Sequence, residues 1–109
     1  MVRMWNINPT IMCRQHLLGE HVEMHMVVGS INRGKSVDGY TSNGLLNTTL
    51  IQSRHSHLVD EMKRRGYKHH SPLNYQDTLG EGFVNEKENL IELHNRCSKC
   101  RRFNEKDNR

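Results

Sequence analysis

The sequence predicts an all-α fold, a single compact domain of three helices joined by long loops. Three stretches of the chain carry apolar residues at intervals of three and four, which is the period of an amphipathic helix. No stretch keeps the strict alternation that is typical of a strand. The chain has 109 residues, so residues 1–109 are expected to form one domain.

The first helix is expected from about Ile11 to Val28. The dipeptide Asn8-Pro9 disfavours helix before it, and Thr10 can cap its start. Its buried stripe is expected to consist of four residues at helical spacing: Leu17, His21, Met24 and Val28. Residues 29–47 are rich in glycine and small polar residues, so they are expected to end this helix and form a loop.

The second helix is expected from about Thr48 to Arg65, and Gly66 is a typical C-terminal stop. A threonine caps its start, and basic residues in its last turn complement the helix dipole. Its buried face is expected to consist of Ile51, Leu58, Val59 and Met62. Residues 67–83 contain Pro72 and two glycines, so they predict a long loop in which His69 and His70 are solvated.

The third helix is expected from about Asn85 to Phe103 and carries two of the three cysteines. One stripe of this helix consists of Leu90, Leu93, Cys97 and Cys100, which favours packed core thiols. The Cys97–Cys100 spacing is also typical of metal ligands, but a closed zinc site needs four of them. His94 and Cys13 can complete such a site only if the fold brings them together. An odd, low cysteine count does not predict a disulfide scaffold.

Composition and charge favour a polyanionic partner, with nucleic acid first. Lys and Arg total 16 against 12 acidic residues, giving a net charge of +4 and a pI near 9.2. Only 34% of the residues are hydrophobic and the mean hydropathy is −0.83, which argues against a large apolar pocket for a lipid. No apolar run is long enough for a signal peptide or a membrane span, so an intracellular protein without a membrane partner is expected. A merely basic protein without a nucleic-acid partner is the alternative.

The first helix also carries a polar face. At roughly 100° per residue, His16, Glu20 and Glu23 fall within a wedge of about 60°. The apolar stripe lies about a quarter turn away. A solvated acidic face is the usual interpretation of such a pattern, and the spacing by itself favours it.

Several short motifs together point to a family. The first group of matching residues consists of Met1-Val2-Arg3, Arg14-Gln15-His16-Leu17-Leu18-Gly19-Glu20 and Glu23. This match needs no gap from the amino terminus to Glu23. A second group of matching residues consists of Gly34-Lys35, Arg54, Leu58-Val59, Glu61 and Arg65-Gly66-Tyr67. This set resembles the phage pyrimidine-dimer DNA glycosylase and abasic-site lyase family, the UV-repair endonuclease V type of T-even phages.

The resemblance implies a mechanism built on the chain's own amine. Removal of Met1 exposes the amine of Val2, which is expected to act as the nucleophile on a damaged nucleotide. Glu23 is expected to do the acid–base work. The implied substrate is damaged double-stranded DNA, with pyrimidine dimers first, and the implied enzyme is a monomer that needs no metal and no cofactor. For a phage-encoded protein the implied location is the cytoplasm of the host cell.

The resemblance also suggests which residues contact DNA. They are Arg3, Arg14, Gln15, His16, Glu20, Lys35 and Arg96. Arg14, His21, His25 and Lys35 are the candidate substitutes for lost phosphate contacts. The family places arginines at the positions of Val22 and Met26, and its aromatic, basic C-terminal tail is missing here. These departures leave three alternatives open: an abasic-site lyase, a glycosylase for another modified base, and a non-catalytic DNA-binding module on the same scaffold.

Overall fold

The computed structural model describes residues 2–107, with side chains for residues 2–103. The expectation of a mostly helical chain is confirmed, but the described chain has five helices instead of three. The elements in chain order are a 3-10 turn (Pro9–Ile11), α1 (Arg14–Asn32), α2 (Asp38–Thr41), β1 (Leu46–Asn47), a 3-10 turn (Thr48–Leu50), α3 (Ile51–Arg64), β2 (Gly82–Phe83), α4 (Glu86–Arg96) and α5 (Ser98–Asp107). Within residues 2–107, no helix is both long and apolar enough to cross a membrane.

Helices α1 and α3 pack against each other and form the centre of the core. The residues expected on their buried stripes are all buried, which confirms both predicted faces. They are Leu17, His21, Met24 and Val28 on α1, and Ile51, Leu58, Val59 and Met62 on α3. These stripes follow from local periodicity, so the sequence was sufficient to predict them.

The predicted ends of α1 were wrong at both sides. The helix starts later than predicted because a separate 3-10 turn precedes it. Asn8, and not Thr10, caps this turn: the Asn8 side-chain oxygen accepts a hydrogen bond from the Thr10 N–H at 3.0 Å. Its end is later because Gly29 lies inside the helix, which continues to Asn32. A glycine inside a helix costs about 1 kcal/mol. Beyond this glycine, Ile31 is partly buried and packs against the core.

The predicted third helix is divided at Cys97, which adopts an extended backbone (φ −129°, ψ 102°). Helix α4 ends before it and α5 begins after it. Helix α5 packs against the 3-10 turn that precedes α1. No glycine or proline marks this break, so tertiary contacts and not local sequence decide it.

The two loops predicted around α3 contain regular structure. Strand β1 pairs antiparallel with β2, with Leu46 opposite Phe83 and Asn47 opposite Gly82. Glycine is required at position 82, because φ is +91° and a Cβ would lie 2.0 Å from the Leu46 carbonyl oxygen. Two-residue strands are too short to show alternation, which is why the sequence did not predict them.

The N-terminal segment, residues 2–7, runs through the core. The Met4 N–H donates to the Leu45 carbonyl at 2.7 Å, and the Asn89 side-chain amide donates to the Trp5 carbonyl at 2.8 Å. Val2 is itself buried, with 5% of its surface exposed. The start of the chain is thereby held beside α4 and the residue that precedes β1.

Candidate active site

A cleft of about 310 Å³ opens between the N-terminal segment, α1 and α4. This volume lies at the lower end of the range for small-molecule sites, roughly 300–1,000 Å³. The residues that line it are Arg3, Trp5, Gln15, His16, Gly19, Glu20, Glu23 and Arg96. Six of these are residues that the sequence assigned to catalysis or DNA binding, so the fold brings most of that set together.

Glu23 lies half-buried in this cleft, and its carboxylate accepts a hydrogen bond from the backbone N–H of Arg3. Burial raises the pKa of Glu23, the Arg3 N–H opposes that rise, and the nearby Glu20 charge adds to it. The pKa of Glu23 therefore stands above its usual value. A carboxyl group with a raised pKa is suited to acid–base work near neutral pH.

The hydrogen bond to Arg3 also bears on Val2, which directly precedes it. One residue of backbone spans at most roughly 3.6 Å. The Val2 nitrogen is therefore about one residue length from the amide that donates to Glu23. Val2 itself does not line the cleft.

Glu20 is buried at the base of the cleft and forms an ion pair with Arg54 of α3. The Arg54 Nε donates to one Glu20 oxygen at 2.5 Å and Nη2 donates to the other at 2.9 Å. Arg54 Nη1 also donates to the Ile7 carbonyl at 2.6 Å. This bidentate pair joins α1, α3 and the N-terminal segment, so both oxygens of Glu20 already have a partner inside the protein.

Arg3 and Arg96 bring two positive charges to the cleft. Arg3 Nη2 donates to Asn89 Oδ1 at 2.8 Å and to Glu92 Oε2 at 2.7 Å, and Arg96 pairs with the other Glu92 oxygen. The hydrogen bond from Arg3, opposed by partial burial, lowers the pKa of Glu92, which stays ionised. Among the atoms that the structure describes, the buried Nε of Arg3 has no hydrogen-bond partner.

Trp5 is a lining residue that sequence reasoning missed. The guanidinium carbon of Arg3 lies 4.1 Å from its ring centroid, and that of Arg96 lies 5.6 Å away. Such cation–π contacts hold the two guanidinium groups beside the ring. The signal was present in the sequence, because Trp5 is the single tryptophan and stands two residues after Arg3.

The remaining residues with an expected DNA contact are exposed. Gln15 lines the cleft, Arg14 stacks on the Tyr67 ring at 5.0 Å, and Lys35 lies after α1 and outside the cleft. Val22 and Met26 lie on the surface of α1, with 53% and 55% of their area exposed.

His16 lines the cleft, but its Nδ1 is directed at cysteines: it lies 3.3 Å from Cys13 Sγ and 3.6 Å from Cys100 Sγ. Cys97 belongs to the same group, and the expected fourth member, His94, does not.

A second group of side chains that sequence reasoning missed consists of His21, His25, His55 and His69. The expectation that His69 is solvated was wrong, because the loop folds back and places its ring against His21 at an Nε2–Nε2 distance of 3.1 Å. Burial and the charges of the three neighbouring rings lower the pKa of His21 to about 4.

The fold and the cleft define a class: a small, basic, helical protein whose cleft combines a carboxyl group of raised pKa with two arginines beside the start of the chain. A sequence profile of the family described as pyrimidine dimer DNA glycosylase matches residues 2–75. The chain therefore belongs to the pyrimidine dimer DNA glycosylase family, as its motifs predicted. No significant match to the chain was found among curated proteins or among solved structures.

Proposed function

We propose that this protein is a DNA-repair glycosylase that cleaves damaged bases, with pyrimidine dimers as the substrate, from double-stranded DNA and then nicks the strand at the abasic site. The observation that carries the proposal is the Glu23 carboxyl group, with its raised pKa, in hydrogen-bond contact with the amide that follows Val2. The family match supports the glycosylase activity. The net charge of +4 supports DNA as the partner. We expect the protein to act as a monomer.

The nucleophile is the amine of Val2, freed by removal of Met1. An α-amine has a pKa of roughly 8, against roughly 10.4 for lysine, so an appreciable fraction is neutral at pH 7. The neutral nitrogen attacks C1′ of the damaged nucleotide. The N–C1′ bond forms as the glycosidic bond breaks, and the base leaves with the bonding electrons and takes up a proton.

The nitrogen then loses a proton and its electron pair forms the C=N bond as the C1′–O4′ bond breaks, and the ring oxygen takes up a proton. The resulting ring-opened imine permits strand cleavage. A proton leaves C2′, the C3′–O bond breaks, and the 3′ phosphate departs in a β-elimination. Water then hydrolyses the imine and restores the free amine. Ionised Glu23 stabilises positive charge on the opening sugar and accepts and returns protons during these steps.

The arginines bind and do not react. Arg3 and Arg96, stacked beside Trp5, hold the phosphates that flank an extruded nucleotide. The position of both arginines at the wall of the cleft supports this role. Gln15 and Arg14 extend the contact surface along the start of α1, and Lys35 extends it beyond the cleft. Glu20 acts through its ion pair with Arg54 and positions α1.

Borohydride trapping tests the mechanism. The protein is incubated with three duplexes, one carrying a thymine dimer, one an abasic site and one no damage, and the imine is reduced. We expect a covalent adduct with the first two duplexes, and mass spectrometry of the digest should locate it on the Val2 nitrogen. An adduct on a lysine would overturn the assignment of the nucleophile.

Two variants of the same position provide the matched control. Val2→Ala keeps a small second residue, so Met1 is still removed and trapping should persist. Val2→Leu keeps Met1, because the second residue is too large for its removal, and trapping should be lost. An adduct with the abasic duplex alone would identify a lyase without dimer specificity. Binding without any adduct would identify a DNA-binding module and refute the enzyme.

A further inference from the structure

Three cysteines and one histidine meet where the start of α1 contacts the break between α4 and α5. Their ligand atoms all lie within 4.8 Å of one another. Nδ1 of His16 is 3.3 Å from the sulfur of Cys13 and 3.6 Å from that of Cys100. The sulfurs of Cys13 and Cys97 are 3.9 Å apart.

The separations of 3.3, 3.6 and 3.9 Å are close to the edges of a zinc tetrahedron. Zn–S bonds of about 2.3 Å and Zn–N bonds of about 2.0–2.1 Å put neighbouring ligand atoms about 3.4–3.8 Å apart. Packed thiols alone can give similar sulfur–sulfur distances. They do not explain why an imidazole nitrogen points at the same centre as three sulfurs.

The backbone around the cluster is arranged for thiolates. The Cys13 N–H donates to Cys100 Sγ at 3.3 Å, and the Cys100 N–H donates to Cys97 Sγ at 3.3 Å. The N-termini of α1 and α5 begin at Arg14 and Ser98, directly after two of the cysteines. Backbone donors and helix N-termini both stabilise negative charge on sulfur.

We propose that Cys13, His16, Cys97 and Cys100 bind one zinc ion in a closed, structural site. Four protein ligands leave no open coordination position, so the ion does not take part in catalysis. It links the part of the chain that matches the family profile to α4 and α5, which lie beyond residue 75. It also holds His16 as a ligand at the wall of the cleft, so His16 shapes the cleft and does not contact DNA.

The test uses the whole chain, purified with a reductant, and cobalt as the spectroscopic probe. Cobalt in this site should show thiolate-to-cobalt charge-transfer absorption, and a mercurial reagent that blocks the thiols should release the bound zinc. Cys100→Ser should lose the band, whereas His94→Gln, a histidine outside the cluster, should keep it. Wild-type protein without this band, or with a Cys13–Cys97 disulfide in place of zinc, would overturn the proposal. Neither outcome bears on imine trapping, so this proposal and the proposed function fail separately.

The four-histidine cluster independently indicates a second metal site. His21 and His25 are four residues apart on one face of α1, which is a typical arrangement of two metal-binding histidines. His55 comes from α3 and His69 from the loop that follows it. The Nε2 atoms of His55 and His25 are 3.1 Å apart, as are those of His69 and His21. The four ligand atoms all lie within 4.8 Å of one another.

A proton shared between the two nitrogens of each pair explains the two short Nε2–Nε2 distances. It does not explain why all four rings converge on one place. The described group contains no carboxylate that would offset positive charge. Imidazole ligands suit zinc, copper and nickel. We infer that these four histidines bind one divalent transition-metal ion, which ties the loop to α1 and α3.

Adjacent histidines provide the control for this second site. After both proteins are loaded with excess zinc and freed of unbound metal, zinc content should be roughly two ions per chain in the wild type and roughly one in His69→Gln, which keeps the closed cysteine site. His70→Gln, an exposed neighbour outside the cluster, should keep both ions. His69→Gln should also keep the thiolate-to-cobalt band, which shows that the fold is intact. Equal zinc content in the wild type and His69→Gln would refute the second site.

Discussion

The buried ion pair between Glu20 and Arg54 separates a structural role of Glu20 from a DNA contact. Arg54→Met keeps much of the side-chain volume but removes the charge. Glu20, whose side chain is 0% exposed, is then left unpaired, and the Ile7 carbonyl loses its donor. A buried carboxylate without a partner strongly favours the unfolded state.

Removing one partner of a buried ion pair costs about 3–5 kcal/mol. For a domain of this size, each kcal/mol lowers the melting temperature by roughly 4–8 °C. We therefore expect Arg54→Met to melt roughly 12–40 °C below the wild type. Adding Glu20→Gln removes the unpaired charge, so the double variant should recover part of this loss.

Urea unfolding followed by circular dichroism measures the free energy of unfolding of each variant. Arg96→Met is the matched control, because its pair with Glu92 is about half exposed and its loss should cost less than about 1 kcal/mol. If Arg54→Met were as mild as this control, or if the double variant were no more stable than Arg54→Met, the ion pair would not have the role assigned to it.

Four further outcomes are expected. Glu23→Gln should abolish single-turnover incision and leave DNA affinity at least as high, because it removes an ionisable group and a negative charge beside DNA; incision at the wild-type rate would deny Glu23 a catalytic role. Protonation of the Val2 amine already slows incision below about pH 8. Because the pKa of Glu23 is raised and its ionised form is required, a second and steeper fall should begin above the ordinary glutamate pKa of about 4.3, and a second fall only at or below that value would contradict this. Val22→Arg and Met26→Arg should each steepen the slope of log K against log salt by about 0.9, and an unchanged slope would mean that these exposed positions do not reach phosphate. EDTA should not reduce incision by wild-type protein whose circular dichroism spectrum shows that it stays folded, because the structural ions do not take part in the reaction; loss of incision by still-folded protein, restored by added metal, would contradict the amine mechanism.

Local periodicity was enough to predict the faces of α1 and α3 that form the core. Residues three and four positions apart lie on the same side of a helix, so Leu17 and Met24, or Leu58 and Met62, indicate their own burial. The motifs at the start of the chain were enough to predict the family. Both are properties of neighbouring residues, which a sequence displays directly.

The tertiary structure decided which of these faces meet. It thereby also decided which polar residues are buried and what they contact. Glu20 belonged to a polar wedge in the sequence, but Arg54, 34 residues later, pairs with it and buries it. Cys97 continued an apolar stripe, but the contact with Cys13, 84 residues earlier, accompanies the break in the helix. Helical spacing describes the geometry of one element and contains no information about its neighbours. Ion pairs and side-chain clusters supplied by distant elements therefore emerge only when the chain has folded.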